Sequence, residues 1–280
     1  MKTIKLIALD LDGTLFNNQS IITDQNKKAI KKATDAGVQV VISTGRPYTG
    51  LPFSQIEGLG IKYAITTNGA AIYQIPSKKE IHSDCLSNDI AFPIIDFLLT
   101  KQVHMDAFID GDAISPAKCL ETARQLSLPD SIKEYIINSR TRVDDLKAYM
   151  MENNIPLQKM TINFKKDEND ILVDREEVSQ FLTSNPNINV VSGGYSNLEF
   201  TRSGVDKGQG LIHLANHLGI PIEQTMAVGD SENDLEILKA AGTSVAMSNA
   251  IDEIKACADL VTLSNEEDGV AHAIYNFIPF

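Results

Sequence analysis

Residues 8–15 of this chain read Ala-Leu-Asp-Leu-Asp-Gly-Thr-Leu, so two aspartates follow directly after an apolar run that begins at Ile4. The run predicts a strand of a parallel sheet, because such strands are buried on both faces and apolar throughout. In open α/β sheets, ligands bind just beyond the carboxyl ends of the strands, where Asp10 and Asp12 would lie. The pair suits a nucleophilic carboxylate and a neighbouring acid/base, held together by Mg²⁺. The structural alternative is a turn in which both side chains bond to the backbone.

The chain is acidic, with a net charge of −12 at pH 7 over 280 residues. Its length suits one large domain or two modest ones, and 43% hydrophobic and 22% charged residues are typical of a soluble globular protein. The negative charge argues against nucleic acid as a partner, since phosphate backbones call for a basic face. A small phosphorylated metabolite can still bind if a metal and a few local cations neutralise it.

The cysteines indicate a reduced compartment. Cys85, Cys119 and Cys257 are widely spaced, which is typical of small core residues and not of a disulfide framework or a zinc site. The apolar stretch at the start is too short for a signal peptide. The sequence contains no run of about 18 apolar residues, so no membrane span is predicted. We therefore expect a cytoplasmic protein without a membrane partner.

The beginning of the chain alternates between predicted strands and helices. After the first strand, a helix is expected to begin near Thr23 and to end at Gly37, since glycine is typical of a helix C-cap. Two further strands, Val38–Ile42 and Tyr63–Thr66, flank a short helix at about 49–57. This order predicts a parallel sheet with right-handed crossover connections.

From about residue 85 the pattern changes. Helices are predicted at about 88–100, 117–127, 142–153 and 174–184, with strands at 103–109, 159–164 and 188–191. Residues 109–112, Ile-Asp-Gly-Asp, are interpreted as a hairpin turn and not as a second metal site. Strands and helices mixed in this way indicate an inserted α+β domain.

The buried-strand pattern returns from Leu198. Helices are expected at 207–218, 232–240 and 268–276, and strands at 225–228, 244–247 and 260–263. The predicted fold is α/β, a doubly wound (Rossmann-like) parallel-sheet core with an inserted domain. Residues 1–84 and 193–280 would form the core, and residues 85–192 the α+β insertion.

A second polar cluster, Ser43-Thr44-Gly45-Arg46, follows the second strand. A hydroxyl at that point can donate to a phosphoryl oxygen, and Gly45 lets backbone N–H groups approach an anion. Arg46 would pair either with a phosphate or with a surface carboxylate. The structural alternative is a helix N-cap formed by Ser43 or Thr44.

A third cluster surrounds Lys207, at the start of the helix that carries Leu211 and Leu214. The helix dipole disfavours a cation in the first turn, so stability alone would not place a lysine there. Its charge would bind phosphate and shield the nucleophilic carboxylate. A solvated surface lysine is the alternative.

The fourth cluster, Gly229-Asp230-Ser231-Glu232-Asn233-Asp234, follows the strand at 225–228. Three acids and an amide in one strand-to-helix turn are typical of an oxygen-ligand site for Mg²⁺. Helix capping with acids in the first turn explains Glu232 well. It explains Asp230 poorly, because that residue lies at the strand end itself.

In chain order, the four clusters resemble the motif set of the haloacid dehalogenase (HAD) superfamily. Its first motif resembles residues 10–14, its second Thr44, its third Lys207 and its fourth residues 229–234. The TGR, NGA and DKG segments of Cof-type phosphatases resemble residues 44–46, 68–70 and 206–208. The insertion after Asn68 resembles the large C2 (IIB) cap domain of that branch.

The resemblance implies a role for each matching residue. Asp10 would attack phosphorus and become an aspartyl-phosphate, while Asp12 would act as general acid and then as general base. Mg²⁺ would be held by Asp10, the backbone carbonyl of Asp12, and Asp230. Asn233 and Asp234 would support the site from nearby.

For the substrate, the resemblance implies that Thr44 and Lys207 bind phosphoryl oxygens. Gly45, Arg46 and Asn68 would also face the phosphate or substrate. The implied activity is Mg²⁺-dependent hydrolysis of small phosphorylated metabolites, with sugar phosphates favoured. Two alternatives stay open: a phosphosugar mutase, which must exclude water, and a catalytically idle binding or regulatory module.

Overall fold

The computed structural model describes residues 3–192 and 196–277. The chain divides into two compact units, the first containing the chain up to Ser83 and from Asp206 onward, and the second spanning Asp84–Val205. The return to the first unit thus lies at Asp206, later than the boundary expected at residue 193. The reason is that residues 198–202 form a strand that pairs with residues 160–162 in the sheet of the second unit.

Two sheets organise the units. In chain order, the strands are β1 (Leu6–Leu9), β2 (Gln39–Ser43), β3 (Tyr63–Thr66), β4 (Ala71–Gln74), β5 (Lys79–Ser83), β6 (Val103–Ile109), β7 (Asp112–Pro116), β8 (Thr141–Val143), β9 (Lys159–Phe164), β10 (Ile188–Val191), β11 (Leu198–Arg202), β12 (Thr225–Gly229), β13 (Thr243–Ala246) and β14 (Leu260–Val261). The helices are α1 (Asp24–Asp35), α2 (Phe53–Ile56), α3 (Asn88–Leu99), α4 (Ala117–Ala123), α5 (Asp130–Ser139), α6 (Leu146–Asn153), α7 (Arg175–Thr183), α8 (Lys207–His217), α9 (Leu235–Ala240), α10 (Asp252–Cys257) and α11 (Gly269–Phe277).

The first unit is built on an eight-stranded sheet in the order β14-β13-β12-β1-β2-β3-β4-β5. The strands from β14 to β3 are parallel, whereas β4 and β5 add an antiparallel edge. Along β1, Leu6 and Ala8 join the apolar cluster that includes α8 and α9 residues, and Ile7 and Leu9 join the one that includes α1 and α11 residues. Helices cover both faces, so the prediction of a doubly wound α/β core is confirmed.

Two features near the predicted 49–57 helix differ from expectation. The segment forms a 3₁₀ turn at Tyr48–Gly50 and then the short helix α2. Pro52 separates them, because proline lacks the N–H that a continuous helix would need. The hairpin of β4 and β5 was not predicted, since half of it is exposed and carries no buried-strand pattern.

The second unit contains a six-stranded sheet in the order β10-β11-β9-β6-β7-β8. Side chains along its strands point alternately to the two faces of the sheet. On one face, Met105 and Ile162 lie in an apolar cluster with residues of α3, α6 and α7. Their neighbours in the strands, such as His104, Asp106 and Thr161, are polar and also buried. Asp110 and Gly111 have positive φ between β6 and β7, which confirms the predicted hairpin turn.

Two elements of this unit were missed or displaced. Helix α5 was not predicted, and the helix expected from residue 142 begins at Leu146 after strand β8. Asp145 explains the later start, because its side chain accepts hydrogen bonds from the N–H groups of Lys147 and Ala148 as an N-cap. Over the ranges 3–192 and 196–277, none of the helices has the length and apolarity needed to cross a membrane.

Candidate active site

Three of the predicted clusters lie at one edge of the first sheet, where neighbouring parallel strands end. Strand β1 is hydrogen-bonded to β2 on one side and β12 on the other, with Leu9 level with both Ile42 and Val228. Asp10 and the residues that follow β2 and β12 are therefore brought together by the register of the sheet. The Asp10 N–H donates to the Val228 carbonyl at 3.1 Å, which fixes the start of the turn beside β12.

The turn after β1 is shaped around Asp230. Gly13 has φ +82°, and a Cβ atom there would lie 2.4 Å from Asp230 Oδ2, so a side chain at this position would collide with the carboxylate. Thr14 Oγ1 donates to Asp230 Oδ1 at 2.7 Å. The glycine and the threonine of the first motif thus position the acid of the fourth motif.

Lys207 lies inside the acidic group instead of on the surface. Its side chain is buried, and Nζ donates to Asp10 Oδ1 and to Asp234 Oδ1, both at 2.7 Å. A longer bond of 3.2 Å reaches Asn233 Oδ1. Asp206 caps the helix by accepting a hydrogen bond from the Gln209 N–H. The next residue, Lys207, lies in the first turn and points at the strand ends.

The carboxylates at the site exceed the charge that Lys207 can balance. Asp10, Asp230 and Asp234 each offer an oxygen, and these atoms lie within 4.8 Å of one another. Burial, together with the charge of Asp234, raises the pKa of Asp10 well above its usual value and that of Asp230 to about 7. Burial alone would lower the pKa of Lys207, but Asp10 and Asp234 outweigh it and the pKa is raised.

This donor set fits a hard divalent cation. Carboxylate oxygens are the preferred ligands of Mg²⁺, and a cation would offset the burial and the repulsion from Asp234 that raise the pKa of Asp230. Thr14 bonds to Oδ1 of Asp230, and Lys207 bonds to Oδ1 of Asp10. The carboxylates of Asp10 and Asp230 are therefore the side chains that would hold the ion.

Asp234 has a mainly structural place in this cluster. Its Oδ2 accepts from the backbone N–H groups of Asp230 at 3.0 Å and Ser231 at 3.2 Å, while Oδ1 accepts from Lys207. Asn233 donates to Asn68 Oδ1 at 3.3 Å and accepts from Lys207. Both side chains therefore hold the loop and the lysine in place.

The second motif lies beside the turn that carries Asn68. Thr44 is buried at the end of β2, and its carbonyl accepts from the Asn68 N–H at 3.1 Å. Asn68 has φ +55°, and Gly69 follows it so closely against α8 that a Cβ atom would lie 2.0 Å from the Asp206 carbonyl. Thr44 and Asn68 are therefore adjacent, and the turn that carries Asn68 packs against the start of the Lys207 helix.

Arg46 contacts the predicted acid/base. Its Nε and Nη2 atoms donate to the two carboxylate oxygens of Asp12, at 2.8 and 2.5 Å. The Asp12 side chain is 58% exposed and that of Arg46 is 28% exposed. Of the two partners that the sequence left open for this arginine, the structure shows a carboxylate.

Sequence reasoning missed the supporting roles of Thr14 and Ser231. Thr14 orients Asp230, and Ser231 forms a capping box with Asp234 at the start of the turn before α9. The second of these had a recognisable signal, because Ser231-Glu232-Asn233-Asp234 has the Ser-x-x-acid spacing of a capping box. The first depends on a contact across 216 positions of sequence and has no local signal.

Comparisons with known proteins extend the motif resemblance to nearly the whole chain. Residues 7–274 match the family model of haloacid dehalogenase-like hydrolases. Phosphatase YwpJ of Bacillus subtilis (strain 168) is 33% identical over 98% of this chain and 100% of its own length. The 5-amino-6-(5-phospho-D-ribitylamino)uracil phosphatase YcsE of the same organism is 31% identical over 98% of this chain and 96% of its own. A solved HAD subclass IIB sugar phosphatase, BT4131, matches with a TM-score of 0.78 and 25% identity over 98% of each chain.

These matches run through both units and include the insertion as well as the motif-bearing core. Similarity therefore does not depend on the four short motifs alone. The chain belongs to the haloacid dehalogenase-like hydrolase family, and it is an enzyme of the Cof-type phosphatase branch.

Proposed function

We propose that this enzyme is a Mg²⁺-dependent phosphatase of small phosphorylated metabolites that works through an aspartyl-phosphate on Asp10. The observation that carries the proposal is the contact of Lys207 with Asp10, inside a buried cluster of carboxylates. A buried lysine that holds one oxygen of a carboxylate at a strand end serves a nucleophile well. It reduces repulsion between that carboxylate and an incoming phosphate dianion.

In the first step, an Asp10 carboxylate oxygen forms a bond to phosphorus while the bond between phosphorus and the alcohol oxygen breaks. Asp12 gives its proton to the departing alcohol oxygen. In the second step, Asp12 takes a proton from water as the water oxygen attacks phosphorus. The Asp10–phosphorus bond then breaks, and Asp10 leaves as a carboxylate.

Phosphoryl oxygens would be bound by Thr44, Gly45, Asn68 and Lys207. Lys207 supplies the charge, Thr44 and Asn68 supply polar side chains, and Gly45 supplies a backbone N–H. Thr44 and Gly45 follow β2, Asn68 follows β3, and Lys207 contacts Asp10 at the end of β1. Phosphoryl transfer depends mainly on positioning and charge neutralisation, which such a set provides.

Mg²⁺ would be held by the carboxylates of Asp10 and Asp230 and by the backbone carbonyl of Asp12. When bound, it neutralises the charge of the site and of the phosphoryl group. Asn233 and Asp234 would keep Lys207 and the Asp230 loop in place. Asn249 fixes the same turn from outside, since its Nδ2 donates to the Gly13 carbonyl at 2.8 Å.

For the substrate, we infer a phosphate ester of a sugar or sugar alcohol. Two relatives support this class: one is named for a phospho-D-ribityl compound and the other is described as a sugar phosphatase. The cytoplasm, where such metabolites occur, also suits Cys85, Cys119 and Cys257, which form no disulfide with one another. The net charge of −12 does not suit nucleic acid.

The test is a panel of phosphate esters incubated with the wild type and with Asp10→Asn, with and without Mg²⁺. We expect release of inorganic phosphate that requires Mg²⁺ and falls at least about 1,000-fold in the variant. Acid quenching followed by peptide mass spectrometry should locate the phosphoryl group on Asp10 in the wild type. Circular dichroism should show that the variant is folded.

Each other result has a distinct meaning. Undiminished turnover in Asp10→Asn would rule out the aspartyl-phosphate. Isomerisation of a phosphosugar without phosphate release would indicate a mutase. Failure of the wild type to turn over any ester with Mg²⁺ would contradict the proposal and favour a binding or regulatory module.

A further inference from the structure

The contact between Asp12 and Arg46 is a two-point contact. Nε and Nη2 of the guanidinium bond to different oxygens of the carboxylate, at 2.8 and 2.5 Å. A planar fork that meets a planar carboxylate in this way sets its orientation as well as its charge. Arg46 therefore restricts the rotation of the Asp12 side chain.

Asp12 needs such a restraint more than Asp10 does. The side chain of Asp12 is 58% exposed, whereas that of Asp10 is 7% exposed and is held by Lys207. An exposed aspartate rotates freely about its side-chain bonds unless a partner fixes it. A general acid must lie within hydrogen-bond reach of the atom that it protonates, so free rotation would lower its rate of proton transfer.

Arg46 is itself held in place. Its Nη1 reaches the Gly50 carbonyl at 3.5 Å, and its guanidinium carbon lies 5.2 Å from the centre of the Phe16 ring, which is buried. The Arg46 N–H donates to Thr44 Oγ1 at 3.2 Å. The arginine thus connects the turn after β2 to the turn after β1, and a fixed cation can in turn fix Asp12.

The charge needed at the nucleophile is supplied elsewhere. Lys207 lies 2.7 Å from Asp10, while the fork of Arg46 is directed at Asp12. To clamp a phosphoryl group with the same donors, Arg46 would have to leave both oxygens of Asp12. That rearrangement would release the acid/base at the moment when its position matters.

We infer that Arg46 is a positioning residue for Asp12 and does not bind the phosphoryl group. The inference deepens the proposed function, because it rests on the assignment of Asp12 as the acid/base. When Asp12 gives its proton to the leaving oxygen it becomes a carboxylate, which is the form that accepts both hydrogen bonds from Arg46. The arginine therefore supports the step in which the alcohol leaves.

The leaving group provides the test. An alkyl phosphate such as a hexose 6-phosphate needs a proton on its departing oxygen, whereas p-nitrophenyl phosphate releases a stable phenolate without one. The value of kcat/KM includes only the steps up to release of the alcohol. For Arg46→Ala we expect a loss of about 100-fold or more with the hexose phosphate, and a change within about 3-fold with p-nitrophenyl phosphate.

A phosphate clamp predicts the opposite pattern. Its removal would lower kcat/KM for both esters equally and would weaken binding of inorganic phosphate to the Mg²⁺-loaded protein. Isothermal titration with inorganic phosphate measures that binding without turnover. We expect the affinity of Arg46→Ala to match the wild type, and a clear loss of affinity would overturn the inference even if no ester were hydrolysed.

Asp12→Asn supplies a double-mutant cycle. Adding Arg46→Ala to this variant should cause little further loss, because the residue that Arg46 positions has already lost its function. Losses that multiply would show that Arg46 acts independently of Asp12. Arg46→Lys should recover only part of the rate with the hexose phosphate, since an ammonium cannot make the two-point contact.

Arg202→Ala is the matched control. Arg202 makes the same two-point contact with Asp84 in the second unit, at 2.5 and 2.6 Å. Its removal should leave both esters unaffected. Asp10→Asn should lose activity toward both esters. Failure of the aspartyl-phosphate mechanism is therefore distinguishable from failure of the inference about Arg46.

Discussion

Each unit of the enzyme contains a buried ionic cluster, and the two clusters differ in charge balance. In the first unit, Lys207 contacts Asp10 and Asp234, and Asp230 lies nearby. In the second, Asp106 accepts from Arg140 Nε at 2.8 Å and lies 3.3 Å from Nε2 of His104. Carboxylates are in excess in the first cluster, whereas the one carboxylate of the second cluster is paired with the Arg140 guanidinium.

The pKa values of Asp10 and Asp106 differ because their charged neighbours differ. Asp10 and Asp106 are both buried. Burial and the neighbouring Asp234 raise the pKa of Asp10, whereas for Asp106 the effect of burial is outweighed by His104 and Arg140, which lower the pKa to about 2. The pKa of Asp106 is low because His104 and Arg140 favour its carboxylate form. A carboxylate such as Asp10, whose pKa is raised by burial and by neighbouring carboxylates, is instead typical of a functional site.

Removing the cation from each cluster gives the largest expected effect. Lys207→Met and Arg140→Met should each lower the free energy of unfolding by roughly 3–5 kcal/mol, because each leaves buried carboxylate charge without its partner. Mg²⁺ should restore part of the loss in Lys207→Met only, since only that cluster has the ligands for a divalent cation. Urea unfolding with and without Mg²⁺ measures both.

Equal recovery of the two variants would contradict the proposed difference between the clusters, because it would mean that Mg²⁺ stabilises the protein without using the carboxylates of the first cluster. Ca²⁺ and Na⁺ at matched ionic strength serve as controls for screening. The activity of Arg140→Met, measured per folded molecule, should stay near that of the wild type.

Removing one acid from the first cluster should have a smaller effect of opposite sign. Without metal, Asp230→Asn should be more stable than the wild type, because it removes a carboxylate whose pKa is raised to about 7. Mg²⁺ at 100 times its dissociation constant stabilises a binding protein by about 2.7 kcal/mol, and this gain should be lost in the variant. Thermal unfolding at increasing Mg²⁺ concentrations tests both expectations.

For contrast, Asp106→Asn should destabilise the protein with or without Mg²⁺. A metal-dependent rise in melting temperature that persists in Asp230→Asn would show that Asp230 is not needed to hold the ion.

The dependence of stability on pH should be the smallest effect and should have opposite signs in the two clusters. Asp230, raised from 3.8 to about 7, stabilises the metal-free protein at low pH, and this contribution is lost as the pH rises through about 7. Asp106, lowered from 3.8 to about 2, contributes stability above pH 3.8 that is lost as the pH falls through about 2.

Unfolding free energies of the wild type, Asp230→Asn and Asp106→Asn across this pH range resolve the two contributions. The difference between wild type and Asp230→Asn should change between pH 4 and pH 7, and that for Asp106→Asn should change below pH 4. Parallel curves for all three proteins would contradict the assignment of either carboxylate.

Much of the fold could be predicted because burial leaves a pattern in the sequence. The apolar run of β1 and the helix with Ala29, Ile30 and Ala33 on one face were confirmed, since both bury whole faces. Strand β11 shows the limit, because the buried-strand pattern that returns from Leu198 led us to expect this segment in the core. Pairing with β9 assigns it to the second unit.

The polar residues at the strand ends could be recognised from the sequence alone. Asp10, Thr44 and Asp230 follow buried strands, where structural roles such as capping explain such residues poorly. The partners of these residues, in contrast, depend on the three-dimensional fold. Lys207 forms a hydrogen bond with Asp10, which lies 197 positions away in the sequence, and Arg46 forms one with Asp12. Such contacts depend on strand register and helix position, which place side chains within a few ångströms and leave no periodic trace in the chain.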